Sequence, residues 1–252
     1  MRPCLGSLVL LACGWPMATS RAATNEMNRC DQSVVVLADG WTSATGVMHS
    51  FQRNGPTNDW KELGSGIPVM LGRKGLGAGR GLIRLDFDGA PEKREGDDKA
   101  PAGIFCLVSA FGYASARSAG GIKLPYLPLS KQVEGIDDPR SQYYNKLIDR
   151  AKVPKADWRS SEQMRRDDVR YKWGVVVEHN ADAIPGAGSC IFLHIWKSAS
   201  TPTSGCTAMS EENLVRLLHW LDPAQRPVLV QMPRDAYRSL RARYGLPPII
   251  GE

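Results

Sequence analysis

The chain has 252 residues, 42% of them hydrophobic, enough to bury one large core or two small ones. Its 32 Lys and Arg against 26 Asp and Glu give a formal charge of +6, but bases and acids are interleaved, as in Lys93-Arg94-Glu95 and Arg165-Arg166-Asp167-Asp168. A mixed solvated surface follows, which argues against nucleic acid as a partner while permitting attraction to an anionic cell-wall polymer. No CxxC, HxxxH or HExxH spacing occurs, so neither a metal site nor a cofactor is expected.

Residues 1–22 read as a secretory signal: Met1-Arg2 leads into the apolar run Leu5 to Trp15, too short to span a bilayer, followed by the small-x-small cleavage pattern Ser20-Arg21-Ala22. A rival is Leu10-Leu11-Ala12-Cys13, which resembles a lipoprotein box weakened by the bulky Leu11. Removing the signal takes away Arg2 and Arg21 and no acid, leaving 30 bases against 26 acids, a balance of +4. The protein is then expected in the periplasm or outside the cell, acting as a monomer. Four cysteines survive: Cys30, Cys106, Cys190 and Cys206. If Cys206 is a free thiol, at most one disulfide forms among the other three. Cys106, inside Ile104-Phe105-Cys106-Leu107-Val108, reads as a small core residue.

Along the mature chain, short runs rich in β-branched residues and bounded by turn formers predict strands. They are Val34 to Leu37, Ile67 to Leu71, Leu82 to Phe87, Ile104 to Phe111, Val175 to Val177, Ile191 to Ile195 and Val228 to Met232. Asp39-Gly40, Asn54-Gly55 and Asp88-Gly89 supply turns. The glycine-rich stretch from Gly72 to Gly81 lacks the Gly-Lys-Ser/Thr ending of a phosphate loop and reads as a connection between strands. Helices are expected only in the second half: Glu162 to Arg170 behind a Ser160/Gln163 capping box, Ser141 to Arg150 behind Asp138-Pro139, and a helix capped by Ser210 with Leu214, Leu217, Leu218 and Leu221 on one face. Arg234 to Tyr244 predicts a final basic helix stopped by Pro247-Pro248. The fold class is mainly β with a few helices.

Chemistry concentrates where His194 precedes Cys206 by twelve residues. A sulfur is a strong nucleophile as the thiolate, and a neighbouring imidazole is the usual acceptor of its proton. On a strand, Cys190, Phe192 and His194 face one way and Ile191, Leu193 and Ile195 the other, placing His194 at the strand's end. Trp196 to Ser204 is then a loop that returns Cys206 towards the imidazole. Ser204 and Gly205 leave room for substrate, and backbone N–H groups around Gly205 and Cys206 can receive an oxyanion. An exposed sulfur of lowered pKa is expected. Either residue alone reads equally as structural: a lone strand-end histidine hydrogen-bonds, and a lone cysteine packs.

Ile191-Phe192-Leu193-His194 followed by Thr203-Ser204-Gly205-Cys206-Thr207-Ala208-Met209 resembles the signature of the bacterial L,D-transpeptidase (YkuD-type) catalytic domain. Lys93 to Asp97 with Ala100 to Phe105 is similar to that family's strand leading with Thr-Pro-x-Gly-x-Phe. Asp137 to Pro139, Tyr143 to Asn145, Asp157 to Ser160, Met164 to Arg166 and Gly174 to Asn180 look like a bacterial branch of it. The resemblance spans about residues 30–233, leaving 234–252 as a basic tail, and implies a β-sandwich or barrel catalytic domain. It further implies Cys206 as nucleophile, His194 as general base and acid, Gly205 at the oxyanion hole, and Thr203, Ser204, His179 and Asn180 near substrate. His179 reads equally as a tethering core residue.

Two positions depart from the family: Ser204 stands where its motif has histidine, and Ala208 where an arginine commonly follows the cysteine. Arg165, Arg166, Lys172 and His179 are candidates to replace that arginine. The implied activity is acyl transfer on peptidoglycan stem peptides, with carbapenem-type β-lactams as covalent ligands. L,D-carboxypeptidase or hydrolase action on the same site, and a non-catalytic wall-binding module, are the alternatives.

Overall fold

The computed structural model describes residues 26–249; the expected signal over 1–22 and the rival Cys13 lie outside the described residues. Among the described residues no helix is long and apolar enough to cross a membrane. The strands are β1 (Gln32–Ala38), β2 (Thr45–Gln52), β3 (Lys61–Glu62), β4 (Ile67–Met70), β5 (Leu76–Ala78), β6 (Ala100–Gly112) and β7 (Tyr126–Pro128). The second half adds β8 (Val133–Gly135), β9 (Leu147–Asp149), β10 (Glu162–Gln163), β11 (Trp173–Val177), β12 (Phe192–Ile195), β13 (Thr207–Met209) and β14 (Val228–Pro233). Two helices follow them in the argument, α1 (Glu211–Trp220) and α2 (Arg234–Tyr244).

Strands β1, β14, β6, β11, β12, β13, β4 and β2 hydrogen-bond in that order, and β2 returns to β1, so the sheet closes into a barrel. Closure removes the unpaired edges that an open sheet would expose. β1 is buried at all its positions, as a strand with apolar residues on both faces requires: one side looks into the barrel and α2 packs nearby. The site strand β12 is central, antiparallel to β11 and parallel to β13. Its faces separate as the alternation predicts. Ile191, Leu193 and Ile195 enter the main core. Phe192 enters a second cluster with Phe111, Leu129, Val133, Met164 and Tyr171, which lies beneath the small sheet β10-β8-β9.

Ser210 caps α1 as expected, its hydroxyl accepting the Asn213 N–H at 3.3 Å, and Leu214, Leu217 and Leu218 are buried behind β11 and β12. α2 forms over the predicted residues but ends one step earlier than its prolines, at Gly245, whose φ of 62° gives a left-handed cap. Nor does 234–252 behave as a tail where it is described, for Tyr237, Tyr244, Leu246 and Ile249 join the main core.

Three predicted elements are absent. Over 162–170 the chain makes the two-residue β10 and then bends, because the Ser160 hydroxyl binds Asp137 instead of capping and Asp168 folds back onto the N–H of Arg170 at 2.9 Å. Over 141–150, Ser141 binds Asp157 and Asn145 sits at φ 63°, which stops a helix and sends the chain into β9. Leu82 to Phe87 is extended and partly buried, yet only Ile83 forms a bridge, to Ile104. β2 was not anticipated: its polar His49, Ser50 and Gln52 hide a strand that buries only Met48 and Phe51.

Candidate functional site

His194 on β12 opens into a cleft of about 740 Å³, also lined by Cys190 and Cys206. Register brings the pair together. His194 stands opposite Ala208 on β13, so Cys206, two residues earlier, lies beside Phe192, whose N–H points at its sulfur at 3.3 Å. Cys206 is thus offset by two residues along the ladder from the partner of His194, and that offset is set by the β12–β13 register rather than by the loop between them.

The turn before the sulfur is built from its own hydroxyls. Thr203 Oγ1 donates to the Cys206 carbonyl at 2.6 Å and accepts the Gly205 N–H at 3.1 Å. Both expected roles are thereby revised: the Thr203 hydroxyl and the Gly205 N–H are committed within the turn. Gly205 suits this crowded position, since a Cβ would stand 3.1 Å from the Lys99 carbonyl. Behind the turn, Thr207 donates to Gln231 at 2.7 Å and Gln231 to the Pro101 carbonyl at 2.8 Å, a buried network joining β13, β14 and β6.

His194 is 6% exposed, and its Nδ1 donates to the Ile195 carbonyl at 2.8 Å. That bond puts the proton on Nδ1 and leaves Nε2 as the basic nitrogen. Burial pushes the imidazole down to about 4. It also pushes the partly exposed Cys206 thiol up to about 12, with the Glu162 carboxylate adding to the rise. The expectation of a lowered thiol pKa is therefore reversed. At rest the pair is neutral thiol and neutral imidazole, and the thiol hydrogen points to the Cys190 carbonyl at 3.7 Å. Cys190 adopts φ 53°, a left-handed conformation, with its N–H held by Asn145 at 2.8 Å. Among the described residues all four cysteines are free, and burial raises Cys30, Cys106 and Cys190 as well.

The remaining candidates divide. Ser204 lies exposed on the rim, where its hydroxyl accepts Arg73 Nη2 at 2.9 Å. His179 and Asn180 do not line this cleft. His179 is 1% exposed, accepts the Arg80 N–H at Nδ1 (3.2 Å) and donates from Nε2 to the Ala187 carbonyl (2.9 Å). Asn180 clamps its own loop, donating to the carbonyls of Ile184 and Gly188 at 3.0 and 3.1 Å. Arg165 donates to the carbonyls of Tyr113 and Leu129, and Lys172 pairs with Glu211 at 2.6 Å; neither lines the cleft. Arg166 does, though committed to Glu162 at 3.0 Å.

Sequence reasoning missed Arg73. It projects from the tight Gly72–Gly75 turn that follows β4, and β4 is the strand paired with β13 at Ala208. Its N–H binds the Thr203 carbonyl at 2.9 Å, and its guanidinium pairs with Asp98 at 3.1 Å. The turn beside β13 thus places a cation on the rim of the cleft. The only signal for it was the vacancy at Ala208. Among the described residues no group of His, Cys, Asp and Glu is arranged to hold a metal ion.

No protein-family model, no curated protein and no solved structure matches this chain.

Proposed function

We propose that this protein is an exported cysteine acyl-transferase of the L,D-transpeptidase type, with the barrel as its catalytic domain and peptidoglycan stem peptides as substrate. The observation that carries this reading is the pairing of β12 and β13, which brings His194 on β12 and Cys206, the residue just before β13, to one cleft, with Nδ1 of the imidazole pinned by a carbonyl. The resemblance of the residues around both supports the substrate class.

Because both groups start neutral, the thiol proton moves to His194 Nε2 as the sulfur attacks the carbonyl of the scissile amide. The Cys206 N–H is the donor left in the turn for the developing oxyanion. Collapse breaks the C–N bond, the leaving amine takes the proton from Nε2, and a thioester remains on Cys206. An acceptor amine then attacks the thioester, gives its proton to Nε2, and the thiol is released with that proton. Water in place of the amine yields a carboxylic acid and carboxypeptidase activity. Arg73 offers its guanidinium to a substrate carboxylate at the rim.

The test is a carbapenem incubation followed by intact-protein mass spectrometry and peptide mapping. We expect one adduct, on Cys206, with Cys30, Cys106 and Cys190 unmodified. Absence of the adduct from wild type, or its persistence in Cys206→Ser, would overturn the nucleophile and favour a wall-binding module. Muropeptides before and after incubation separate cross-linking from hydrolysis. Export is tested apart, by N-terminal sequencing of secreted protein: a start at Ala23 is expected, and a lipid-modified Cys13 would show membrane anchoring instead.

A further inference from the structure

The fold brings into the cleft a carboxylate that acyl transfer as written above leaves unused. Glu162, the first residue of β10, lines the cleft with Cys206 and His194. Its Oε1 accepts the Tyr171 hydroxyl at 2.8 Å and Arg166 Nη1 at 3.0 Å. Tyr171 is 5% exposed, and its ring stands nearly perpendicular to Phe111 and Phe192 at 5.8 Å and to the imidazole of His194 at 5.3 Å.

Neither residue is explained by packing alone. A phenylalanine would fill the same space among these rings without needing a buried partner for its hydroxyl. Burial raises Glu162 above its ordinary carboxylate range, which marks its position as one that disfavours the charge. A stability argument therefore does not account for the Glu162–Tyr171 bond. Its geometry does suggest what it is for. One hydrogen bond at Nδ1 leaves an imidazole free to pivot about that contact. A perpendicular ring, itself tethered at its hydroxyl end, removes the pivot.

Resting on the Cys206–His194 reading, we propose that Glu162 and Tyr171 are positioning residues for His194: their hydrogen bond locks the aromatic wall that sets the plane of the imidazole through both proton transfers. Nε2 must face the thiol when it takes the proton and the leaving amine when it returns it. Small misplacements of reacting groups reach ~10²-fold in rate, so loss of one tether should be visible in turnover.

The full chain is compared with Tyr171→Phe, Glu162→Ala, Glu162→Gln, the Tyr171→Phe/Glu162→Ala double variant and His194→Ala. Two readouts are taken: the rate of Cys206 alkylation by iodoacetamide, and kcat and KM on a stem peptide. Tyr171→Phe and Glu162→Ala should each lower kcat about tenfold with KM within about twofold, and Tyr171→Phe, which keeps the carboxylate beside the thiol, should slow alkylation in step. Glu162→Gln, whose amide oxygen still accepts the tyrosine hydroxyl, should recover most of that loss. The double variant should be no worse than either single, as one shared tether requires. Wild-type kcat in both singles, losses confined to KM, or additive losses would overturn the proposal. Where Glu162→Ala fails to fold, Tyr171→Phe keeps the ring and decides alone. If His194→Ala alkylates as fast as wild type, the base assignment falls and this inference with it. If His194→Ala is slow while Tyr171→Phe and Glu162→Ala match wild type, only this inference falls.

Discussion

Two histidines stand at the ends of neighbouring strands, His179 after β11 and His194 on β12. Both are buried, and burial pushes both down to about 4. By those measures the two regions are twins. They differ in how the ring nitrogens are used. His179 has an N–H at Nδ1 and a carbonyl at Nε2, so both are spent inside the protein. His194 has a carbonyl at Nδ1, and among the described residues no hydrogen bond engages Nε2. A perturbed pKa is thus common to both; an uncommitted nitrogen beside a cleft belongs to His194 alone of the two, and it is what the proposed base role requires.

The sharpest way to break that comparison is to exchange the expected losses. His194→Ala should lower acylation by roughly 10²-fold or more with folding little changed, as removal of a positioned general base does. Single-turnover mass spectrometry of the acyl-enzyme reads this, and wild-type turnover would make His194 a second tether. Arg73→Ala asks whether the open side of this region is the side substrate uses. KM should rise about tenfold and kcat change less, which steady-state kinetics on stem peptides would show, because the side chain is half exposed and lost substrate binding registers in KM.

His179→Ala should act in the opposite sense. It strands the Arg80 N–H and the Ala187 carbonyl, at about 2 kcal/mol or more of stability. Urea denaturation should register that loss while activity per folded molecule holds. The smallest effect concerns pH. Both histidines are held neutral in the fold, whereas in the unfolded chain they take protons near 6.5. Stability is therefore full above that value and lost as pH falls from about 6.5 towards 4. Glu162, raised by burial, opposes this, since its folded form gains from protonation. Replacing either histidine by Asn should remove about half of the loss between pH 7 and 5, measured by denaturation at both values.

The legible parts of the molecule are those where local pattern and tertiary burial agree. The continuous apolar run of β1, the alternation of β12 and the Ser210 cap with its leucine face are each set by neighbours in sequence, and each formed as read. The illegible parts depend on distant partners. Ser160 and Asp138 carried helix-start chemistry, but Asp137 took the serine hydroxyl and Arg140 with the Arg159 N–H took the Asp138 carboxylate. Arg73 reached the nucleophile turn through strand pairing across more than a hundred residues, and Tyr171 reached His194 through a cluster that no spacing announces. His194 and Cys206 could be singled out from motif; the sulfur's protonation state could not, since it is fixed by burial and by Glu162.

The parallel pairing of β12 with β13 also ties the cleft to the fold. Parallel neighbours need a crossover, and here it runs from Trp196 to Ser204, with its far end stitched to the Gly72 turn through Thr203. The imidazole and the thiol are thus indexed by ladder register, and the crossover between them forms part of the cleft wall. A one-residue slip of β13 would turn the sulfur out of the cleft and Met209 out of the core at once, so the same register that holds the barrel together also fixes which face the thiol takes.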